Sequence, residues 1–408
     1  MSAEKEIIHV NTNNIIIKNG KDQYIEDING KKYLDLRMGA GTMILGHSND
    51  YIVDKIKEQV DKGILFASKC ENEEILSNLL EERMPWYSKF IYCNSGSESI
   101  MRLFRIARSY TKKNKVAVLS GNWHGSYDQV LIDENMDISD KCEIKVISDG
   151  LSKNVLDDVI ILPNDIEEIR KIIINNNDIA MVLVEPVQQN VPDLNVKHFL
   201  NKLKQITVEN NILLGFDEII TGFRFIPNSS QKYFDVYSDL ACFGKIISGG
   251  LPFGVIGIKK EIEEHLNNIN KPVYFGGTFS GNPLSTCIAY HTIKYLIENN
   301  NIYDDIEEKI TNLANEINDH CVKNSIDAQI MHAKYFFRII FTNKKITTKK
   351  NRHIFEKNYK KQKEFYTFMA ENNIFIGTNP LCFISIKHTK EDLLKIKETI
   401  IRGFNKFI

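Results

Sequence analysis

The sequence predicts an α/β protein with a large domain on a mainly parallel sheet and a smaller α+β domain made from both chain ends. Three observations predict it. From about residue 70, short runs that are apolar on both faces alternate with helical stretches, the pattern of a parallel sheet covered by helices on each side. The opening stretch QYIEDINGKKYLDL alternates about Asn29-Gly30, as a hairpin does. The last hundred or so residues mix long helices with the short strands FFRIIFT and CFISIKH.

In chain order, strands are expected at VAVLS (116–120), IAMVLVEP (179–186), ILLGFDEI (212–219) and DLACFG (239–244). A helix is expected from about Ser95. Ile100, Leu103, Phe104, Ala107 and Tyr110 form its apolar face, and Arg102, Arg105 and Arg108 point away from it. Ser95 and Glu98 fit a capping box at its start. The closing amphipathic stretch KEDLLKIKETIIRGF follows Thr389 as N-cap. The expected division is 1–55 and 292–408 for the small domain and 56–291 for the large one. At 408 residues, with 43% hydrophobic and 26% charged residues, the chain is long enough for both.

Composition narrows the function classes. A net charge of -1 gives no reason to expect nucleic acid or an anionic membrane as partner. The abundance of Lys, Asn and Ile reads as genome-wide base bias. Seven scattered cysteines without a CxxC pair argue against a disulfide framework or zinc ribbon and fit a reducing compartment. No HExxH is present, so a zinc hydrolase has no support. The stretch FGKIISGG is not a P-loop, since Asp239 stands where the first glycine is needed. MSAEKEIIHVNTNN has no apolar signal region, and no run is long enough to span a bilayer. A cytoplasmic protein is expected.

Four places carry chemistry. In NSGSESIMRLFRIARSY, Ser-Gly-Ser before a helix start offers N–H groups and hydroxyls at the positive end of a dipole, a ready phosphate site. In SGNWHGSYD, directly after a strand, Trp123 can lay a flat ring on a planar ligand, with His124 a structural neighbour. Asp217 ends an apolar run, where a carboxylate needs a cationic partner such as a protonated ring nitrogen. Lys245 ends the next apolar run, where partial desolvation lowers a lysine's pKa and makes it a nucleophile toward carbonyls. Singly, each is an ordinary cap, core ring or buried charge. Together they are the parts that hold pyridoxal phosphate (PLP), an electron sink bound through a lysine with an acidic partner on its ring nitrogen.

With these residues in place, the chain resembles the class III, fold-type-I PLP-dependent aminotransferases, most closely the glutamate-1-semialdehyde aminomutase branch. The resemblance runs through YLDLRMGAGTMILGH, NSGSES, NWHG, VLVEPVQQN, FDEIITGFR, FGKIISGGLPFG, GGTFSGNPL and ISIKHTKEDL, with 28 residues from Asp217 to Lys245. It implies Lys245 as the Schiff-base lysine and Asp217 as the partner of the ring nitrogen. Ser95, Gly96 and Ser97 would hold the phosphate, and Trp123 takes the place of the usual stacking Tyr or Phe. Glu185 and Gln188 would line the cofactor near its ring hydroxyl. Thr278 would reach the phosphate of a neighbouring subunit, which implies a homodimer. Asn190, Arg37 and Arg224 are substrate candidates, though Arg37 also reads as a structural ion pair and Arg224 as part of a structural block.

Two departures bear on the substrate. The branch's Ser-Pro-Val-Arg stretch has no match, and GTNPLCF stands where the branch carries a glutamate in a longer late loop. The leading expectation is therefore an aminotransferase passing nitrogen from an amino donor, glutamate by analogy, to a carbonyl acceptor in a biosynthetic pathway. The alternatives are an aminomutase of the glutamate-1-semialdehyde type, a decarboxylase or racemase on the same scaffold, and, more distantly, a non-catalytic PLP-fold binding protein. A mutase needs a lid that retains its intermediate, and residues from about 136 to 165 could supply one or be plain surface loop.

Overall fold

The computed structural model of the chain describes residues 15–135, 144–377 and 379–408. The strands in chain order begin with β1 (Ile17–Lys21), β2 (Tyr24–Asp27) and β3 (Lys32–Asp35). Next come β4 (Lys89–Cys93), β5 (Lys115–Leu119), β6 (Ile132–Glu134), β7 (Ile144–Val146) and β8 (Val159–Leu162). They continue with β9 (Ile179–Val184), β10 (Leu213–Glu218), β11 (Leu240–Phe243) and β12 (Gly254–Ile258). The last are β13 (Gln329–Ala333), β14 (Phe336–Ile340), β15 (Ile374–Phe375) and β16 (Leu381–Phe383).

The chain forms two compact units. One comprises the described residues of Asp54–Gln189 and Leu194–Glu298; the other takes the described residues up to Val53, Asn190–Asp193 and Asn299–Ile408. The chain changes unit after Glu298, later than the expected 291, because the helix Pro283–Glu298 packs along the helix Glu71–Arg83 and stays whole with it.

The larger unit holds a seven-stranded sheet in the order β4-β12-β11-β10-β9-β5-β8. Its strands are parallel except β12, which runs antiparallel to both neighbours. Every residue of β9 and β10 is buried, as a strand covered on both faces requires. The parallel course brings the C-terminal ends of β4, β5, β9, β10 and β11 to one edge, where open α/β sheets bind ligands. Part of the segment read as a lid or a plain surface loop belongs to this sheet, since Val159–Leu162 is its edge strand β8. Residues 136–143 of that segment lie outside the described residues.

The helix Gly96–Thr111 buries its expected apolar face, but Arg102 is no surface residue. It is 2% exposed, contacts the Glu98 carboxylate, and donates to the carbonyls of Tyr92 (3.0 Å) and Gly276 (2.9 Å). The helix's polar side is covered by a segment 170 or more positions downstream, which periodicity alone cannot foresee.

The smaller unit carries the sheets β1-β2-β3-β15 and β13-β14-β16. The hairpin turns where expected: Gly30 has φ +82°, and Asp27 accepts the N–H groups of Asn29 and Lys31, both at 2.9 Å. Thr389 caps the helix Lys390–Phe407 in a reciprocal box with Asp392, whose carboxylate also accepts from Gln23 (2.7 Å) and Tyr24 (2.6 Å). Beside it, burial pushes the His388 imidazole down to about 4, against the opposing charges of Asp392 and Asp35. Between that value and the unfolded 6.5, the unfolded chain binds the extra proton. Stability from this group is therefore full above about pH 6.5 and falls toward pH 4 by roughly 3 kcal/mol. Urea unfolding of the wild type is expected to show a lower midpoint at pH 5 than at pH 7, and His388→Gln a smaller difference. Among the described residues, no helix is long and apolar enough to cross a membrane.

Candidate active site

At the end of β4 the chain turns into the helix Gly96–Thr111, with the Ser95 hydroxyl accepting Glu98 N–H at 3.1 Å. The return bond reaches one residue further back than a standard capping box, from Asn94 N–H to Glu98 Oε2 at 2.6 Å. Helix geometry leaves the first N–H groups, those of Gly96 and Ser97 among them, without acceptors inside the helix and aimed out of its positive end. Gly96 lies against Ile219: a Cβ there would stand 2.5 Å from Ile219 Cδ1. Ser97 Oγ in turn accepts Ser126 N–H at 3.0 Å, docking the 120–128 loop on the helix start. Gly125 has φ +94°, and a Cβ on it would come within 2.3 Å of that hydroxyl, so the close approach needs glycine.

The same loop is tied to two strand ends. Glu185, buried just after β9, accepts Trp123 N–H through Oε2 at 3.0 Å and so fixes the aromatic residue's backbone. His124 Nδ1 meets Asp217 Oδ2 at 2.7 Å, both side chains nearly inaccessible. Asp217 Oδ1 accepts Ile219 N–H at 3.0 Å. Each carboxylate oxygen has a second lone pair, so the pairings leave Asp217 able to accept one more donor. Its charge is felt across the sheet, where the facing Cys242 thiol is raised by burial first and by Asp217 second. Neighbouring Glu218 points to the opposite face, as strand alternation dictates. There it accepts from Ser229 Oγ (2.5 Å), Ser230 N–H (2.6 Å) and Gln231 Nε2 (2.7 Å), and burial raises its pKa.

Lys245 follows the end of β11, three residues beyond the register partner of Asp217. Its φ of +50° is a left-handed conformation that costs a non-glycine residue about 1–3 kcal/mol. Ser248 Oγ holds it by donating to the Lys245 carbonyl at 2.7 Å and accepting Gly250 N–H at 3.2 Å. Ile219 lies beside this turn too, since a Cβ on Gly244 would be 3.4 Å from its Cγ2. Ser95–Ser97, the Trp123 backbone, Glu185, Asp217 and the turn at Lys245 are thus linked, through these hydrogen bonds and Ile219, at one edge of the sheet.

The remaining sequence candidates divide. Gln188 donates its amide to Ser120 O (3.2 Å) and Asn164 Oδ1 (2.9 Å), at the root of the Trp123 loop. Thr278 is exposed in a turn of the larger unit. Arg224 is 1% exposed with Nε on Ile220 O at 2.6 Å, a bond that braces its own loop. Arg37 and Asn190 belong to the smaller unit. Arg37 makes no structural ion pair among the described residues; its Nη1 donates to the carbonyls of Leu381 (2.9 Å) and Asn379 (3.4 Å) instead. The sequence reading missed His124 as the residue that holds Asp217. Its one signal was its place beside Trp123 in a strand-end loop.

The family model described as Aminotransferase class-III matches residues 7–360. The chain belongs to the class-III aminotransferases. This class-III chain is 39% identical over 396 residues to a glutamate-1-semialdehyde 2,1-aminomutase of Wigglesworthia glossinidia brevipalpis, covering 96% of this chain and 90% of that one. A protein of the same name from Methanococcus maripaludis is 35% identical over 389 residues, covering 94% and 90%. Among solved structures, an omega-transaminase from Sphaerobacter thermophilus superposes with TM-score 0.89 at 24% identity, over 96% of this chain and 91% of that one. A glutamate-1-semialdehyde aminomutase from Pseudomonas aeruginosa gives TM-score 0.86 at 18% identity, over 97% and 88%. The fold is that of the fold-type-I PLP transaminases, and the class is PLP-dependent. The residues present fit that cofactor: an anion-binding helix start, a carboxylate with spare acceptor capacity and a lysine at a strand end. His124 Nε2 and both polar atoms of the Asn122 side chain are buried without a hydrogen-bond partner, so the loop among them keeps unused polar capacity.

Proposed function

We propose that this class-III enzyme is an aminomutase of the glutamate-1-semialdehyde type, moving an amino group between neighbouring carbons of one substrate. The observation that carries this reading is the 39% identity, over 96% of the chain, to a relative so named. It displaces the sequence's leading expectation of an aminotransferase with an external donor.

In this reading Ser95, Gly96 and Ser97 hold the cofactor's phosphate on the helix start, and Trp123 covers its ring. Glu185 fixes Trp123, and Gln188 stands near the ring hydroxyl. When bound, PLP supplies an electron sink for the pair left as a C–H bond breaks. Asp217, oriented by His124, holds the proton on the ring nitrogen. Lys245 Nζ would hold the cofactor and, when its amine is free, would take a proton from one substrate carbon and return it to another as base and acid. Water exclusion falls to the loops at this sheet edge.

A homodimer is part of the proposal. Ile64, Phe66, Tyr274 and Phe279 are large apolar residues left exposed on two segments joined where Cys70 Sγ meets Gly281 O at 3.7 Å, and Thr278 sits among them. The cysteines among the described residues are free thiols, which supports a cytoplasmic setting.

The aminotransferase reading keeps two observations in its favour, the absence of the branch's Ser-Pro-Val-Arg stretch and the GTNPLCF stretch without its glutamate. Incubating holoenzyme with glutamate 1-semialdehyde alone decides between them. Conversion to 5-amino-4-oxopentanoate without any added amine is the expected result. Turnover that requires an added amino acid and releases its keto acid would establish the aminotransferase instead.

A further inference from the structure

We propose that residues 344–363 of the smaller unit form a docking surface for the phosphate backbone of a nucleic acid. The stretch KKITTKKNRHIFEKNYKKQK holds eight of the chain's 42 lysines, with one arginine and a single acid, Glu356. Base bias raises lysine along the whole chain but does not gather it. The total charge of -1 hides the concentration, because the rest of the chain carries nine more acids than bases. A balance that gives no reason to expect a nucleic acid is thus the sum of two opposed regions. The fold joins the stretch into one surface. Lys344 Nζ lies 4.7 Å from the centre of the Phe355 ring, which brings the loop after β14 against the end of the helix Lys349–Phe355. His353 Nδ1 and Tyr359 Oη stand 2.9 Å apart, which ties that helix to the start of the next, Tyr359–Glu371. Lys344, Lys345, Lys357, Lys360 and Lys363 are exposed, and the helix Lys349–Phe355 buries none of its residues.

Lysines elsewhere on the surface meet acids, as Lys21 meets Asp50 (2.6 Å), Lys259 meets Asp239 (2.7 Å) and Lys309 meets Asp305 (2.6 Å). Here they do not. Among the described residues, the amines of Lys345, Lys357, Lys360, Lys361 and Lys363 have no carboxylate within ion-pair distance. Glu356 is taken up by Arg352 Nε (3.3 Å) and Phe341 N–H (2.8 Å), and Glu364, just beyond the stretch, pairs with none of its lysines. Lys360 and Lys361 also stand in the first turn of Tyr359–Glu371, which holds no acid. The helices Ile302–Lys323 and Lys390–Phe407 place two acids each in their first turns, as the dipole favours. Cations at the positive end of a dipole cost stability, and an anion brought to them offsets it. The chemistry of the surface selects the kind of anion. A protein partner needs apolar anchors at the centre of its interface, and a membrane needs an apolar face to insert. In this stretch Ile354 and Tyr359 are the large apolar residues left exposed, at 42% and 37%. Flexible lysines bind as point charges, which suits a chain of phosphates better than one planar carboxylate.

The probe is a fluorescein-labelled oligouridylate, titrated with holoenzyme by fluorescence anisotropy over a series of potassium chloride concentrations. With five such lysines on phosphates, the slope of log K against log salt is expected to be about −3.5. Lys345→Gln, Lys360→Gln and Lys363→Gln combined are expected to flatten that slope by about 2 and to weaken binding at least about tenfold. Arginine at the same three positions keeps the charge and should keep both slope and affinity. Lys171→Gln, Lys202→Gln and Lys232→Gln combined remove three exposed lysines from the larger unit and should bind as the wild type does. Thermal unfolding of each variant within a few degrees of the wild type shows that the fold is retained. No binding at the lowest salt, a slope unchanged by the glutamines at 345, 360 and 363, or an equal loss in the remote variant would overturn the surface. So would poly-aspartate or phosphatidylserine vesicles that compete, at equal charge, as well as unlabelled oligouridylate. Titrations with single-stranded DNA and duplex RNA of the same length then name the source of the phosphates, by which of the three binds tightest. Binding needs no turnover, so it stands or fails separately from the mutase reading.

Discussion

Lys245→Ala is expected to lower kcat by about 10⁴-fold or more and to abolish the absorption band that the wild type develops with PLP. The reason is chemical rather than structural. The Lys245 backbone is left-handed, φ +50°, and alanine inherits the same conformational penalty. Its turn is closed by Ser248 Oγ on the Lys245 carbonyl, a backbone acceptor that any residue provides. The variant should therefore unfold within a few degrees of the wild type. Lys245→Gly, which also lacks the amine but relieves the strained φ, is expected to be at least as stable as the alanine variant and equally inactive. Substantial turnover in either would show that another group moves the proton.

Asp217→Asn is expected to lower kcat by about 10²- to 10⁴-fold, the range over which a positioned acid–base partner matters. Asparagine fills the same 3%-exposed space and can still accept Ile219 N–H, so the fold is retained while the negative charge is lost. His124→Asn leaves that charge in place and removes its 2.7 Å partner. A smaller loss is expected, about 10-fold, together with a displaced pH profile of kcat. If Asp217→Asn remains within tenfold of the wild type, the carboxylate is not the ring-nitrogen partner.

Much of this architecture was legible because burial on both faces leaves a plain mark. The runs IAMVLV and LLGFDE are covered along their whole length and read as strands at once. The strand GVIGI was not read: two of its five residues are glycines, which β-propensity disfavours. Four-residue VIIL lay unnoticed in the segment read as a lid or a surface loop. The chemistry-bearing residues were legible singly, because a carboxylate and an amine at the ends of apolar runs call for partners. Their pairings were not, since His124 and Asp217 are 93 positions apart. Arg102 was misread for a related reason. Charge predicts exposure only until another part of the chain folds over it, and its guanidinium ended on buried backbone carbonyls.

Ile219 touches both ends of the site, lying under Gly96 at the helix start and beside Gly244 before Lys245. It acts as a spacer, so the span between the anion-binding turn and the reactive amine is set by the bulk of one branched side chain. The three positions consequently form a single unit of substitution. A methyl group gained at Gly96 has room only if one is given up at Ile219, and a change at Ile219 alone resets both turns together. Any route by which this sheet edge adapts to a longer or shorter ligand must alter these three residues in concert.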